Sequence, residues 1–169
     1  MIDRLETQRL ILRRPAPKDE PGAMAFLLSD RTRMLGGPFT PQRAWTVFAA
    51  GIAHWELRGF GGFAVTMKGE DRCLGIVGPY FPAGWPEPEM SWMLWAEAEG
   101  RNFGYEAAKA CLTHLFRDLG WTTTVSYIDP LNARSIALAE RLGAARDETA
   151  PRPDPEDLVF RHKPAEVLD

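Results

Sequence analysis

The segment 89–142 constrains the fold most, because strand and helix patterns alternate along it in a single run. It contains two strand patterns and two helix patterns that follow one another at 89–95, 104–116, 122–128 and 132–142. Two strands that are joined through a helix lie parallel, and such crossovers are right-handed. The run therefore predicts at least one parallel crossover in a sheet that is covered by helices.

The chain before this run predicts antiparallel strands with short connections. Its patterns indicate a first strand at 9–13, with Leu10 and Leu12 on the buried side, and two helices at 19–28 and 41–55. A meander of three strands follows at 63–67, 73–77 and 89–95. A proline-rich loop at 79–88 separates the last two of these strands, and a final strand is expected at 158–161. The predicted order is β-α-α-β-β-β-α-β-α-β-β. The fold class is α/β, an α+β mixed sheet with helices on its faces.

The composition indicates a folded enzyme-sized domain and excludes several classes of protein. The 169 residues suffice for one domain, 1–169, and 45% hydrophobic with 25% charged residues excludes general disorder. The net charge of −3 without clustered Lys or Arg argues against a nucleic-acid partner. The longest weakly charged stretch, 46–55, is too short to span a membrane.

The cysteines and histidines give no sign of a disulfide framework or a metal site. Cys73 and Cys111 are far apart and belong to no C-x-x-C pair, as expected for reduced thiols. The three histidines lack a metal-binding spacing. The first nine residues contain no apolar segment, so we expect no secretory signal and a cytoplasmic location. We expect the protein to be a monomer or a homodimer.

Three short segments carry residue types suited to chemistry, and each also has a plain structural interpretation. The turn 99–104 lies between a strand and a helix. Its free backbone N–H groups either bind a phosphate, or the turn only connects the two elements. Asn132 opens the next helix and either contacts a ligand or only caps the helix. Glu89 begins an otherwise apolar strand and is either a general base with a raised pKa or a solvated strand end.

Taken in order, these segments resemble the GNAT family of acyl-CoA-dependent N-acetyltransferases, and most closely its branch of ribosomal-protein alanine acetyltransferases. The segment 6–15 is similar to the first strand of that branch. The other matching segments are 89–94 (EMSWML, against E-I-G-Y-W-L), 99–107 (against Q-G-x-G-Y-A-x-E-A) and 132–143 (against N-x-x-S…E-K-L-G). The resemblance covers nearly the whole chain and implies a GNAT-like acyl-CoA N-acyltransferase fold with acetyl-CoA as cosubstrate.

The resemblance also implies which residues bind the coenzyme. Backbone groups of the strand end would pair with the pantetheine arm, and amides of the following turn would hold the pyrophosphate. The expected contacts are Met93, Leu94, Trp95, Glu99, Gly100, Arg101, Asn102, Phe103, Gly104, Tyr105, Asn132 and Ser135. Two positions depart from the family: Glu99 replaces Gln or Arg, and Asn102 replaces a Gly, which Asn tolerates because it visits the left-handed region more readily than other residues. These departures predict a weakened or altered affinity for the coenzyme, not a loss of binding.

The chemistry of acetyl transfer assigns three further roles. Glu89 is the candidate base, acting through a water, and a backbone N–H near Met93 is the candidate oxyanion donor. Many GNAT enzymes carry a Tyr seven positions after the Asn as the acid, but this chain has Ala139 there. Ser135 is therefore the candidate donor to the leaving thiolate. The expected activity is direct transfer of the acetyl group to a primary amine in a ternary complex.

Two other functions remain open at this stage, as does the acceptor. The chain could be a non-catalytic acyl-CoA-binding sensor or scaffold, or an interaction protein that uses exposed tryptophans. The acceptor is a peptide N-terminus or a small amine. Aromatic residues of the early helices and of the loop before the third strand of the meander either line its pocket or only pack in the core: Phe39, Trp45, Trp55, Trp85 and Trp92. Such a lining favours an apolar or cationic acceptor over a polyanion.

Overall fold

The computed structural model describes residues 2–168 and is organised around one eight-stranded mixed sheet. Its strands are β1 (Arg4–Glu6), β2 (Leu10–Arg13), β3 (Phe63–Met67), β4 (Gly75–Tyr80), β5 (Glu89–Leu94), β6 (Thr124–Ile128), β7 (Ala145–Arg146) and β8 (Leu158–His162). The spatial order is β1-β2-β3-β4-β5-β6-β8-β7, and every neighbouring pair is antiparallel except β5 with β6. Met1 and Asp169, the two ends of the expected domain, lie outside the described residues.

Five α-helices accompany the sheet. They are α1 (Glu20–Leu27), α2 (Pro41–Arg58), α3 (Phe103–Arg117), α4 (Ala133–Arg141) and α5 (Pro164–Leu168). Helix α3 connects the parallel strands β5 and β6, so the predicted parallel crossover is confirmed. Within residues 2–168, none of the helices is both long and apolar enough to cross a membrane.

The two faces of the sheet are covered by different helices. On one face, α3 packs through Ala107, Cys111 and Leu115 onto a cluster that includes the fully buried Leu10 and Leu12 of β2. On the other face, α1 and α2 pack in a second cluster with residues of β3, β4 and β5. The strict alternation of β2 between buried and partly buried residues agrees with its predicted burial pattern.

Helix α2 begins and ends at the residues that its sequence indicates, and one residue of its expected apolar stripe is exposed. The Thr40 side chain accepts a hydrogen bond from the Arg43 N–H, and Gly59 ends the helix at a φ of 77°. The spacing of its apolar residues predicts a buried stripe through Trp45, Phe48, Ile52 and Trp55. Phe48 and Trp55 are buried, but Trp45 is 56% exposed. The buried face begins one residue earlier, at Ala44, and continues through Phe48. Because adjacent helical residues are about 100° apart, this shift turns Trp45 toward solvent.

Strand β4 ends later than expected, and the short elements β1 and α5 were not predicted. The loop expected from residue 79 begins after Tyr80, and Pro79 is a buried strand residue. Pro79 lies beyond Val77, the last β4 residue in register with β3, so its missing N–H removes no bond from that ladder. The two unpredicted elements contain 3 and 5 residues, whereas β7, with 2 residues, is the first of the two strands expected after the last predicted helix. Such short segments carry no detectable periodicity.

Candidate active site

Strands β5 and β6 run together at one end and separate at the other. Their only registered pair is Glu89 with Val125. Just beyond this pair, the Ser126 hydroxyl donates a hydrogen bond to the Met90 carbonyl oxygen (2.6 Å) and lies 3.0 Å from Nε2 of the buried His162. Burial lowers the pKa of His162 to about 4, so this ring is neutral and its Nε2–H donates to Ser126. These bonds fix the point from which the two strands diverge.

The divergence leaves one edge of β5 without a strand partner, and the backbone pattern identifies which residues face it. The Trp95 N–H donates to the Leu74 carbonyl (2.8 Å) on the β4 side, whereas the Met90 carbonyl faces β6. Because strand residues alternate, Trp92 and Leu94 turn their N–H and C=O groups toward the opening. The backbone groups of Met93 and Trp95 face β4, so the N–H groups near Met93 that reach the opening are those of Trp92 and Leu94. The expected pairing of backbone groups from Met93 to Trp95 with the pantetheine arm stays a prediction, and among these residues Leu94 faces the opening.

Glu89 lies at the start of β5, where its carboxyl group faces a cavity rather than bulk solvent. The Trp85 indole Nε1–H donates a hydrogen bond to Glu89 Oε2 (2.8 Å), and within residues 2–168 no hydrogen bond occupies Oε1. Burial raises the pKa of Glu89 from 4.5 to about 7, while the bond from Trp85 lowers it in part. A carboxyl group with a pKa near 7 can accept a proton at neutral pH.

The loop that leads into Glu89 is held at two further points. His54 clamps its beginning, because Nδ1–H donates to the Phe60 carbonyl (2.7 Å) and Nε2 accepts from the Phe81 N–H (2.8 Å). Arg161 of β8 clamps its end through a bidentate ion pair with Glu87 (2.8 and 2.9 Å). Neither anchor could be predicted from the sequence. Each joins residues that lie far apart in the chain, and no local pattern marks them.

Ser135 lies across the opening, in the first turn of α4. The Asn132 side-chain oxygen caps the helix by accepting from the Ser135 N–H (3.2 Å), so the capping interpretation of Asn132 is confirmed. Asn132 and Ser135 also line the cavity. The Trp92 indole donates to the Ser135 hydroxyl oxygen (3.1 Å), which leaves the hydroxyl hydrogen available to a ligand.

The turn between β5 and α3 has the geometry of an anion-binding nest. Gly100 has a φ of 69°, and Asn102 adopts the left-handed conformation with a φ of 63°, as predicted. No side chain caps the N-terminus of α3, so the N–H groups of its first turn have no capping partner. This turn contains Phe103, Gly104 and Tyr105. A helix N-terminus preceded by left-handed residues binds phosphate through its N–H groups.

Arginine side chains surround this nest. Arg101 lies 4.5 Å from the centre of the Phe103 ring, and Arg141 lies 3.9 Å from that of Tyr105. Arg141 also donates a hydrogen bond to the Asn102 side chain. The positive charges make the edge of the nest favourable for a phosphorylated ligand.

Glu99, the residue of this turn that departs from the family pattern, forms ion pairs with two other arginines. Its carboxylate contacts Arg31 from the segment between α1 and α2, and Arg134 of α4 (2.6 Å). The negative charge is therefore balanced within the protein. The three residues connect the α1–α2 segment, the β5–α3 turn and α4.

A cavity of about 300 Å³ connects Glu89 with Ser135. It extends from the α1–α2 segment, past Glu89, to Ser135. Three of the expected aromatic residues line it, namely Phe39, Trp85 and Trp92. Trp55 does not, because it is buried against Phe63 with ring centres 4.9 Å apart. Trp45, the remaining candidate, is the exposed residue on the outer side of α2.

The two cysteines and the potential metal ligands offer no other reactive centre. Cys73 and Cys111 are free and buried, and burial raises the pKa of Cys73 to about 11 and that of Cys111 further. Both thiols therefore stay protonated at neutral pH. Across residues 2–168, the side chains of His, Cys, Asp and Glu form no cluster that could hold a metal ion.

Comparison with protein families finds a match over most of the chain. Residues 9–145 match a family described as the acetyltransferase (GNAT) domain. Solved structures extend the likeness to nearly the full length. A crystal structure of an acetyltransferase from Agrobacterium tumefaciens str. C58 is 39% identical, with a TM-score of 0.92 over 96% of this chain and 95% of that one.

Two more distant structures share the fold. A proposed ribosomal-protein-serine acetyltransferase from Vibrio cholerae is 24% identical, with a TM-score of 0.74 over 95% of this chain and 97% of that chain. RimL, a ribosomal-protein alpha-N-acetyltransferase solved in complex with coenzyme A, is 16% identical, with a TM-score of 0.72 over 93% and 95% of the two chains.

Proposed function

This chain belongs to the GNAT family of acetyltransferases, and on that premise we propose that it transfers an acetyl group from acetyl-CoA directly to a primary amine. The observation that carries the proposal is the position of Glu89. Its carboxyl group has a pKa of about 7 and faces the same cavity as Ser135. A base and a hydroxyl donor therefore meet in one enclosed space beside the open edge of β5.

The coenzyme would bind along the open edge and the nest. The pantetheine arm, which carries amide groups, would pair with the free backbone groups of Trp92 and Leu94 in the manner of an added strand. Its pyrophosphate would bind the N–H groups of Gly100 to Gly104, with Arg101 at the edge. GNAT enzymes use acetyl-CoA, and the coenzyme A complex of RimL supports a coenzyme of this kind here.

The transfer requires the amine to lose a proton before or during its attack on the thioester carbonyl carbon. Glu89 Oε1 would accept this proton, directly or through a water, because Oε2 is occupied by the Trp85 indole. The C–N bond forms while charge builds on the carbonyl oxygen. A backbone N–H of Trp92 or Leu94 would stabilise that oxyanion, a contribution of about 3–4 kcal/mol in comparable sites.

The C–S bond then breaks, and the leaving thiolate needs a proton. Ser135 would supply it from its hydroxyl group and regain one from solvent. The Trp92 indole, which donates to Ser135 Oγ, makes that hydroxyl a better donor because hydrogen bonds in a chain strengthen one another. The thiol itself needs only modest assistance, since its unperturbed pKa is about 8.5.

Direct transfer is favoured over an acetyl-enzyme intermediate because the cavity offers no thiol nucleophile. The proposal takes residues 1–169 as one catalytic domain that acts in the cytoplasm as a monomer or a homodimer. The acceptor is a small-molecule or peptide amine.

Two measurements test the proposal and separate it from a non-catalytic coenzyme-binding role. Calorimetry should detect binding of acetyl-CoA, and release of free thiol should follow when amines and peptides are added. Binding without thiol release from any acceptor would contradict catalysis and support a sensor or scaffold.

Two variants test the assigned residues. Glu89→Gln and Ser135→Ala should each lower kcat by about 10²–10⁴-fold, with little change in the Kd for acetyl-CoA. The control is Glu70→Gln, in the exposed turn after β3, which should leave both quantities unchanged. Unchanged turnover in either test variant would remove that residue from its role.

A further inference from the structure

The outer half of the cavity is apolar. It is lined by side chains of α2 and of the segment between α1 and α2: Met34, Leu35, Phe39, Val47 and Phe48. Met34 and Leu35 are among the large apolar side chains that remain exposed in the protein. Exposed apolar side chains at the rim of a cavity favour an apolar ligand.

The charged groups of the cavity occupy defined positions. Among the lining residues that the structure describes, Glu89 is the only acidic one and Arg43 the only one with a permanent positive charge. His54 also lines the cavity, but both of its ring nitrogens are used in hydrogen bonds that require a neutral ring. Arg43 is exposed in the first turn of α2 and forms no ion pair with residues 2–168.

The two charges act on the same part of the cavity. Burial and Glu89 raise the pKa of Tyr80, whereas Arg43 lowers it. Tyr80 also packs its ring against Trp85, with ring centres 5.8 Å apart. An ammonium group in the cavity would therefore be attracted by the Glu89 carboxylate and repelled by Arg43.

A peptide acceptor fits this wall poorly. Each residue of a peptide after the first brings an N–H and a C=O group that must keep a hydrogen-bond partner when it leaves water. The apolar wall offers none, and Arg43 only donates. An amine with an apolar body needs no such partners.

We propose that the acceptor is a monoamine on a compact apolar or aromatic body, with its nitrogen toward Glu89 and its body against Phe39 and Phe48. Arg43 acts as a specificity residue that disfavours acceptors with a second positive charge. This inference rests on the proposed acetyl transfer and narrows its acceptor.

The test compares kcat/KM, measured by thiol release, for three acceptors: 2-phenylethylamine, putrescine and a tetrapeptide with an N-terminal serine. We expect 2-phenylethylamine to exceed the other two by about 100-fold, within the range that apolar contacts of this size give. Arg43→Glu should raise kcat/KM for putrescine by about 10-fold, since it replaces repulsion by attraction. Phe39→Ser should lower the value for 2-phenylethylamine while the Kd for acetyl-CoA stays unchanged.

Leu57→Ser is the matched control, because Leu57 lies on α2, is 81% exposed and does not line the cavity. It should leave all three kcat/KM values unchanged. Equal values for the three acceptors, or a preference for the peptide, would overturn the acceptor class and leave acetyl transfer intact. Binding of acetyl-CoA without thiol release from any amine would overturn both proposals.

Discussion

Replacement of Glu89 by Gln should make the protein more stable at alkaline pH while it lowers activity. The folded protein raises the pKa of Glu89 from 4.5 to about 7, so the ionised carboxylate is disfavoured by the fold. At about 1.36 kcal/mol for each unit of pKa shift, ionised Glu89 lowers the free energy of unfolding by at most about 3 kcal/mol. Gln has nearly the same shape, carries no charge and can still accept the bond from Trp85.

The direction of the effect follows from proton linkage. Because the folded state binds this proton more tightly than the unfolded state, the contribution to stability is fully present below pH 4.5. It is lost as the pH rises from 4.5 through about 7 and is absent above. The Gln variant lacks this dependence, so its stability advantage over the wild type should grow between pH 5 and pH 8.5, toward about 2 kcal/mol.

Urea unfolding at several pH values measures this difference, and the same samples give kcat/KM. In the wild type, kcat/KM should rise with pH through about 7, as Glu89 ionises, and then level off. The exposed variant Glu70→Gln controls for the loss of one negative charge. If the advantage of the Gln variant stays constant across this range, or if its activity equals that of the wild type, Glu89 is not the desolvated base described above.

Three further changes test other parts of the site. Trp85→Phe removes the donor that lowers the pKa of Glu89, so the rise of kcat/KM with pH should move to higher pH; an unmoved profile would show that the indole does not tune the carboxylate. Glu99→Gln removes a carboxylate from the edge of the nest and frees two arginines. The Kd for acetyl-CoA, measured by calorimetry, should therefore fall by about tenfold, and a higher Kd would contradict this. Asn102→Val places a β-branched residue in the left-handed region and should destabilise the protein by about 1–2 kcal/mol, whereas Asn102→Gly should not; equal Tm values would contradict this reading of the turn.

The features that the sequence predicted well depend on neighbouring residues. Helix α4 has a polar cap at Asn132 and a left-handed glycine after it, and both signals operate over one turn. The left-handed conformation of Asn102 followed from its residue type in a glycine-bearing turn. The site segments were found because their order in the chain resembles that of a family.

The features that escaped prediction depend on contacts between distant parts of the chain. Trp45 and Trp55 occupy equivalent places in a helical stripe, yet one is exposed and the other is buried against Phe63. Only the packing of α2 on the sheet distinguishes them. The two arginines that balance Glu99 come from segments 68 and 35 residues away. No local pattern could indicate either pair.

The loop before β5 explains how a disfavoured carboxylate is maintained at the site. A flexible loop would let Glu89 move into solvent, where its pKa would return to an ordinary value. Here the beginning of the loop is bound to His54, its end is bound to Arg161, and the Trp85 indole is bound to the carboxylate itself. Prolines within the loop restrict the backbone between these anchors. The rigidity of a surface loop, rather than the sheet alone, therefore sets the proton affinity on which the proposed chemistry depends.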